Sequence, residues 1–200
     1  RGPASSLYGG VALTAVVNII TKEGAEVDGL QARVGGGNYG QIKADAVFGK
    51  HFFDVDLLVW GSVYRNSGEK RSVPEERRAE SPLPMPVNDI YIGRVGSNPS
   101  YDFGLQLGWK GWQLLYDTHF SQVVSPYTAT TLGMSYDHDR YCTHNGIDPS
   151  FSTYSRHAEV SYSHQVKNLN LKYALTYDKS DMTQYQVISD AAMPTLGTAL

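Results

Sequence analysis

The side chains best suited to chemistry are concentrated in one short polar stretch, at Asp137, His138, Asp139, Tyr141, Cys142 and His144. Imidazoles, carboxylates and a thiol can hold a metal, and histidine or tyrosine can also ligate haem or cobalamin. However, their spacing follows no strict template, and such residues are common in solvated loops. We therefore expect no metal site and no cofactor, and we take four residues as candidate ligand contacts: Tyr127, His138, Tyr141 and His144.

Catalytic chemistry finds little support in the sequence. The chain has no Gly-x-Ser-x-Gly elbow, no His-Glu-x-x-His pair and no Walker loop. Asp117, His119 and Ser121 alternate along one strand face, but they are too far apart along it to form a proton relay. We therefore expect that the protein is not an enzyme.

A glycine pattern at Gly35, Gly37 and Gly40 satisfies the Gly-x-Gly-x-x-Gly motif of dinucleotide-binding folds. That function requires a helix that begins at the third glycine. Residues 41–49 instead alternate between apolar and polar side chains, as in a strand. The pattern therefore predicts a hairpin loop at residues 36–40.

The composition favours strands and excludes several classes of protein. The 200 residues include 14 Tyr and 20 Gly, a profile typical of aromatic-rich strands separated by glycine turns. Lys and Arg total 17 against 20 Asp and Glu, so we do not expect a general nucleic-acid binder. The single cysteine, Cys142, excludes an intramolecular disulfide and a multi-thiolate zinc site.

The chain is predicted to form strands, and the connections between successive strands are alternately short and long. Tight turns are expected at Lys50–His51, at Gly111 and at Lys167–Asn168. The connections formed by residues 65–100 and 122–154 are long. Tight turns at one end and long loops at the other are typical of outer-membrane barrels. The predicted strands are 29–37, 41–49, 52–64, 101–110, 112–121, 155–166 and 169–179.

The two faces of the predicted strands differ sharply in charge. A Lys or Arg at the lipid-facing midplane of a barrel costs about 2–4 kcal/mol, and none of the predicted outward residues is Asp, Glu, Lys or Arg. A soluble sandwich also has one apolar face, so that alternative stays open. The predicted outward residues are Leu30, Ala32, Val34, Gly36, Ile42, Ala44, Ala46, Phe48, Phe53, Val55, Leu57, Val59, Gly61, Val63, Tyr101, Phe103, Leu105, Leu107, Trp109, Trp112, Leu114, Tyr116, Thr118, Phe120, Ala158, Val160, Tyr162, His164, Leu169, Leu171, Tyr173, Leu175 and Tyr177.

Aromatic residues lie towards both ends of the predicted strands. Rings at both ends suit the two interfaces of a bilayer, where amphipathic aromatic side chains concentrate. Trp109, Trp112, Phe48, Phe52 and Phe53 lie near the tight turns, and Tyr101, Phe120 and Tyr177 lie towards the long loops.

The start of the chain carries its most specific motif. Residues 1–9 read Arg-Gly-Pro-Ala-Ser-Ser-Leu-Tyr-Gly, and residues 16–22 read Val-Val-Asn-Ile-Ile-Thr-Lys. This pair of segments resembles the end of the plug domain in TonB-dependent outer-membrane receptors. The resemblance implies the C-terminal end of a plug at residues 1–25, and the N-terminal part of an antiparallel transmembrane β-barrel at 26–200. About seven strands of an expected 22 would be present, so we expect the chain to be a fragment of a longer protein.

The same resemblance implies a function for the parent protein. Members of this family lie in the outer membrane of Gram-negative bacteria and actively import a scarce ligand such as an iron-siderophore, haem or cobalamin. Their partners are the ligand, outer-membrane lipid and the inner-membrane TonB energy-transducing complex, which binds a segment absent from this chain. In the family, the arginine at the position of Arg1 lies on the plug face and pairs with barrel-wall carboxylates, so Arg1 joins the candidate ligand contacts.

Two other functions remain open from the sequence. One is a soluble β-sandwich whose long loops bind a ligand, and the other is a surface adhesin or docking barrel that transports nothing. A soluble module would complete its own core and fold in water. A barrel fragment would leave its apolar face uncovered and require detergent.

Overall fold

The computed structural model describes residues 22–72, 89–128, 136–138, 141 and 148–187. Within these ranges, no helix has the length and apolarity needed to cross a membrane. A short 3-10 turn at Asn38–Gly40 accompanies the regular elements. In chain order these are α1 (Gly24–Val27), β1 (Gly29–Gly36), β2 (Ile42–Phe52), β3 (Val55–Arg65), β4 (Glu69–Arg71), β5 (Ile90–Ile92), β6 (Ser100–Trp109), β7 (Trp112–Val124), β8 (Ser150–Val166) and β9 (Leu169–Tyr185).

The strands form one large antiparallel sheet and one small one. The seven-stranded sheet has the order β1-β2-β3-β6-β7-β8-β9, and β4 pairs with β5 separately. Each strand of the large sheet therefore lies beside the next long strand in the sequence. The prediction of an all-β, antiparallel structure is confirmed.

All seven predicted strands are present, as β1, β2, β3, β6, β7, β8 and β9. Three of them are longer than predicted at the ends that meet the long connections, because β7 reaches Val124, β8 begins at Ser150 and β9 reaches Tyr185. The alternation of apolar and polar residues stops before those ends. The short strands β4 and β5 were not predicted, since three residues carry no periodicity.

One of the three predicted tight turns is wrong. Strand β2 continues through Lys50 and His51 to Phe52, and the turn lies at Phe53–Asp54, where Phe53 has a φ of 54°. Pairing of Phe52 with Val55 closes this hairpin. Phe53 is thus a turn residue, although the sequence predicted it on the outward face of a strand.

The other short connections agree with their predictions. Lys110 and Gly111 both have positive φ values, as hairpin turns favour, and Lys167 has a φ of 54° in the turn before β9. After Gly36, the 3-10 turn at Asn38–Gly40 leads directly into β2. The glycine pattern is therefore a hairpin loop, and the dinucleotide motif is excluded at this position.

The strand register aligns the apolar residues of all seven strands on one face. Directly opposed residues in an antiparallel pair lie on the same face of the sheet. We call this the apolar face, and apart from the turn residue Phe53 it contains every predicted outward residue. One row across it reads Leu30, Phe48, Val59, Leu105, Tyr116, Ala158 and Tyr177.

The opposite side, which we call the polar face, carries charged and amide side chains in the same register. Most of the apolar face is uncovered, with Val34 82% and Leu175 77% exposed. Buried apolar residues instead lie beneath α1 and among the long connections. One row across the polar face reads Arg33, Asp45, Ser62, Asp102, His119, Ser155 and Ser180.

Backbone hydrogen bonds join the connections at the end of the sheet that bears the long loops. They extend the pairing beyond the regular strands, so these connections are attached to the sheet and to each other. The bonds run from Ser67 N to Tyr39 O (3.0 Å), Val95 N to Asn66 O (2.9 Å), Val124 N to Arg94 O (2.9 Å) and Ser125 N to Pro149 O (2.8 Å).

Candidate functional site

Cross-strand ion pairs cover much of the polar face. Each joins side chains on adjacent strands, so the pairs also fix the register of the sheet. Because they are at least partly exposed, each contributes at most about 1 kcal/mol. Two join groups that are charged at neutral pH, Arg33–Asp45 (3.4 Å) and Lys172–Glu159 (3.2 Å). Three join a carboxylate to a histidine, which is charged only when protonated: His51–Asp56 (3.6 Å), His119–Asp102 (3.5 Å) and His157–Asp178 (2.6 Å).

An indole lies flat against the backbone at the centre of the polar face. Trp60 is directly opposite Gly104, and a Cβ at position 104 would overlap the Trp60 ring. The indole Nε1 donates a hydrogen bond to Asp102 Oδ1 at 3.0 Å. Because Gly104 has no side chain, the Trp60 ring can occupy this space, and the hydrogen bond to Asp102 fixes its orientation.

The helix α1 lies against the same face at the end that bears the tight turns. The backbone N–H groups of Gly24 and Ala25 each donate a 2.8 Å hydrogen bond to the Asp56 carboxylate. A Cβ at Gly24 would overlap the carbonyl of Leu57, so the helix sits directly on β3. Val27 and Leu58 are buried in this contact.

A cavity of about 520 Å³ opens beside α1 on the polar face. Its lining combines Lys22, Arg33 and Asp117 with the amides of Gln31 and Gln106, and its apolar walls include Trp60 and Leu115. Such a mixture of charges, amides and one large ring can bind a polar ligand or a polar segment of protein.

At the other end of the sheet, the long connections form an aromatic cluster around Tyr136. The ring centroids of Tyr136 and His138 lie 4.1 Å apart, and Tyr136 meets Tyr141 edge-on at 6.2 Å. Tyr91 packs edge-on against His138 at 5.0 Å, with the Arg94 guanidinium 5.1 Å from the Tyr91 ring centre. The group Tyr91, Tyr136, His138 and Tyr141 is called the loop cluster below.

Tyr136 is the buried centre of the loop cluster. Its side chain is fully buried, and its hydroxyl donates a 2.5 Å hydrogen bond to Ser125 O. Burial raises the pKa of Tyr136, so the phenol remains neutral at physiological pH. The hydrogen bond and the ring contacts therefore join Tyr136 to Ser125, just after β7, and to His138 and Tyr141.

The predicted ligand contacts differ in their placement. His138 and Tyr141 come together in the loop cluster, where His138 is buried and Tyr141 half-buried. Tyr127 is half-buried in the connection after β7. Arg1 and His144 lie outside the described residues, so the prediction stays untested for both.

Several residues that build this end were not identified from the sequence. Asp148 is 2% exposed and accepts hydrogen bonds from Ser97 N at 2.5 Å and Ser97 Oγ at 3.0 Å. The Gln122 amide donates to Ser150 Oγ at 2.7 Å. These contacts join residues that are distant in sequence, and no local pattern marks them.

Ligation of a metal has no support in the residues that the structure describes. Among them, no group of three or more His, Cys, Asp or Glu side chains is placed to hold an ion. Three residues of the polar stretch, Asp139, Cys142 and His144, lie outside those ranges.

Comparison with known proteins identifies no relative of this chain. No family model, no curated protein and no solved structure matches this chain.

Proposed function

We propose that the chain is part of a TonB-dependent outer-membrane receptor, whose parent protein binds and actively imports a scarce ligand. One observation carries the proposal: the strand register collects mainly apolar residues on one exposed face across seven strands. Near the tight-turn end this face includes one lysine, Lys50, which lies opposite Leu57 and pairs with Asp28. An apolar surface of this extent requires lipid or protein to cover it.

The dimensions of this face support lipid as its cover. On β3, β6, β8 and β9, the uncharged part of the face spans nine residues in each strand, within the roughly 9–11 residues of a transmembrane strand. On β7 it spans thirteen residues, but Gln122 and Val124 are buried, so the part that is not buried ends at Phe120. The bands are Val55–Val63, Tyr101–Trp109, Trp112–Phe120, Ala158–Val166 and Leu169–Tyr177.

The position of α1 supports the assignment of the preceding segment to a plug. The chain up to Lys22 resembles the end of a plug domain, and α1 follows it directly on the polar face. In a closed barrel this face would be the lumen, so α1 would connect a plug inside the lumen to the first strand at the tight-turn end.

Ligand capture is assigned to the long-loop end of the sheet. In the proposed receptor, the loop cluster and the candidate contacts Tyr127, His138, Tyr141 and His144 would meet an iron-siderophore, haem or cobalamin entering from outside. Aromatic rings provide large apolar contact areas for such ligands. Arg1 would contribute from the plug, and displacement of the plug by the TonB complex would open the route inward.

The proposal is tested by uptake in cells that make the full-length parent protein. Radiolabelled ferric chelates, haem and cobalamin are supplied to cells with and without the receptor, and to cells whose energy-transducing complex is disabled. The expected result is uptake of one ligand class that requires both the receptor and the complex. Normal insertion in the outer membrane, with unchanged uptake of every ligand, would contradict import of these ligands and favour a docking barrel.

A further inference from the structure

The helix α1 is attached to a strand that is not its neighbour in the chain. Asp56 of β3 accepts the N–H groups of Gly24 and Ala25, one on each carboxylate oxygen and both at 2.8 Å. Hydrogen bonds of this kind are charge-assisted and stronger than neutral ones. Because α1 precedes β1, which is two strands away from β3, these bonds hold the start of the chain independently of the pairing of β1.

Two glycines bring α1 into direct contact with the sheet. A Cβ at Gly24 would overlap the carbonyl of Leu57, and a Cβ at Gly49 of β2 would overlap Gly24 and Val27. Neither glycine has a φ in the left-handed region, so their small size, and not their backbone conformation, is what this place requires. The helix therefore lies on the backbones of β2 and β3 with no side chain between them.

The attachment begins sharply at the first residue of α1. Lys22 and Glu23 are exposed, whereas Gly24 is buried. At the other end of α1, the Asp28 N–H donates to Gly24 O at 3.1 Å, and Asp28 Oδ1 lies 2.6 Å from Lys50 Nζ. Since this ion pair is about half exposed, it adds little, and the two bonds to Asp56 are the main polar attachment.

We propose that α1 is a fixed anchor, positioned by Asp56, which stays on β2 and β3 while the segment before Lys22 is displaced during import. This inference rests on the proposed function, because it requires that segment to be displaced by the TonB complex. In the chain, α1 lies between the segment and β1. A pull on the segment therefore reaches the pairing of β1 only after α1 has detached, and a segment that remains tethered at α1 can return to its place.

The test compares energy-dependent leakage in cells that make the full-length receptor or its Asp56→Ala variant. The probe is a glycopeptide antibiotic, which is too large and polar to cross an intact outer membrane, and growth inhibition measures its entry. Loss of one hydrogen bond to a charged acceptor should raise the detached population of α1 at least roughly ten-fold. We expect Asp56→Ala to admit the antibiotic when the energy-transducing complex works and to exclude it when the complex is disabled.

Two further variants separate the anchor from other effects of substitution. Asp54→Ala removes a carboxylate two residues away that pairs with Lys110 at 3.2 Å, and it should behave like the wild type. Gly24→Ala leaves Asp56 intact but forces α1 off β3, so it should reproduce the leakage. Gly24→Ala decides the question if Asp56→Ala does not reach the outer membrane.

Hydrogen exchange of the purified full-length receptor measures detachment directly. Exchange in residues 23–28 should be faster in Asp56→Ala and in Gly24→Ala, and unchanged in Asp54→Ala. Leakage that is equal with and without the working complex would overturn the inference, because a merely structural defect needs no energy. Normal import without leakage in Asp56→Ala and Gly24→Ala contradicts only the anchor, whereas a wild type that imports no ligand contradicts the proposed function as well.

Discussion

The Trp60 ring occupies the space that a side chain at position 104 would fill. Gly104→Ala is expected to displace the indole, break its hydrogen bond to Asp102 and destabilise the protein by about 1–3 kcal/mol. Thermal unfolding of the full-length protein, with tryptophan fluorescence, measures both effects. Gly108→Ala is the control on the same strand and face, because its new Cβ would meet Asp56 at an ordinary 3.7 Å. Equal stability of the two variants would contradict this account of Gly104.

Asp148 connects two long segments through its bonds to Ser97. Asp148→Ala would remove a buried carboxylate together with the two hydrogen bonds that it accepts from Ser97, a cost of about 1–3 kcal/mol. We expect faster hydrogen exchange and proteolysis in the segment around Ser97. Ser97→Ala, which removes only the hydroxyl bond, should have a smaller effect. An unchanged exchange rate in Asp148→Ala would show that this attachment does not hold the segment.

At the scale of the strand, adjacent residues should respond in opposite ways to the same substitution. Leu175 lies on the apolar face and is 77% exposed, whereas Thr176 lies on the polar face directly opposite Glu159. Leu175→Arg is expected to cost about 2–4 kcal/mol in a bilayer, and Thr176→Arg should be tolerated beside a carboxylate. Folding into lipid vesicles, followed by protease protection, compares them. In a soluble sandwich, whose apolar face is the core, the wild type and Thr176→Arg would instead fold without lipid.

The sequence predicted the strands well where alternation was strong and poorly where it stopped. Period-two alternation located the middle of each long strand, because one face is consistently uncharged. It failed at Gln122 and Ser150, which lie in strands but are buried by the connections above them. The turn between β2 and β3 was misplaced because Phe53 adopts a positive φ, which no bulky residue favours from sequence alone.

For the whole molecule, both edges of the large sheet and its apolar face determine how the isolated chain behaves. Among the strands that the structure describes, β1 and β9 are the edges of the large sheet, and open edges promote association. We expect the 200-residue chain to aggregate in water and to be dispersed by mild detergent, as analytical ultracentrifugation can measure. A monomer in detergent-free buffer, with cooperative unfolding, would contradict the membrane assignment and favour a soluble module.

The loop cluster and the cavity beside α1 could be predicted from the sequence only in part, because both are built from segments that are distant in the chain. Residue types identified His138 and Tyr141 as possible contacts, and the structure brings them together. Their common neighbour Tyr136 was not identified. Tyr91 was not identified either, because its contact with His138 depends on how two long connections fold over one end of the sheet. The cavity beside α1 was missed for a similar reason, since Trp60, Arg33 and Asp117 come from three strands.

The order of the strands also determines how the sheet can be assembled. Every long strand pairs with its predecessor in the chain, so each one can dock as soon as it is synthesised or delivered, onto an edge that already exists. Among the described strands of the large sheet, none has to wait for a segment later in the chain, and the edge that receives each new strand is the most recently added one. The sheet can therefore form by sequential addition of strands from β1 towards β9. Each added hairpin provides the edge on which the next one pairs.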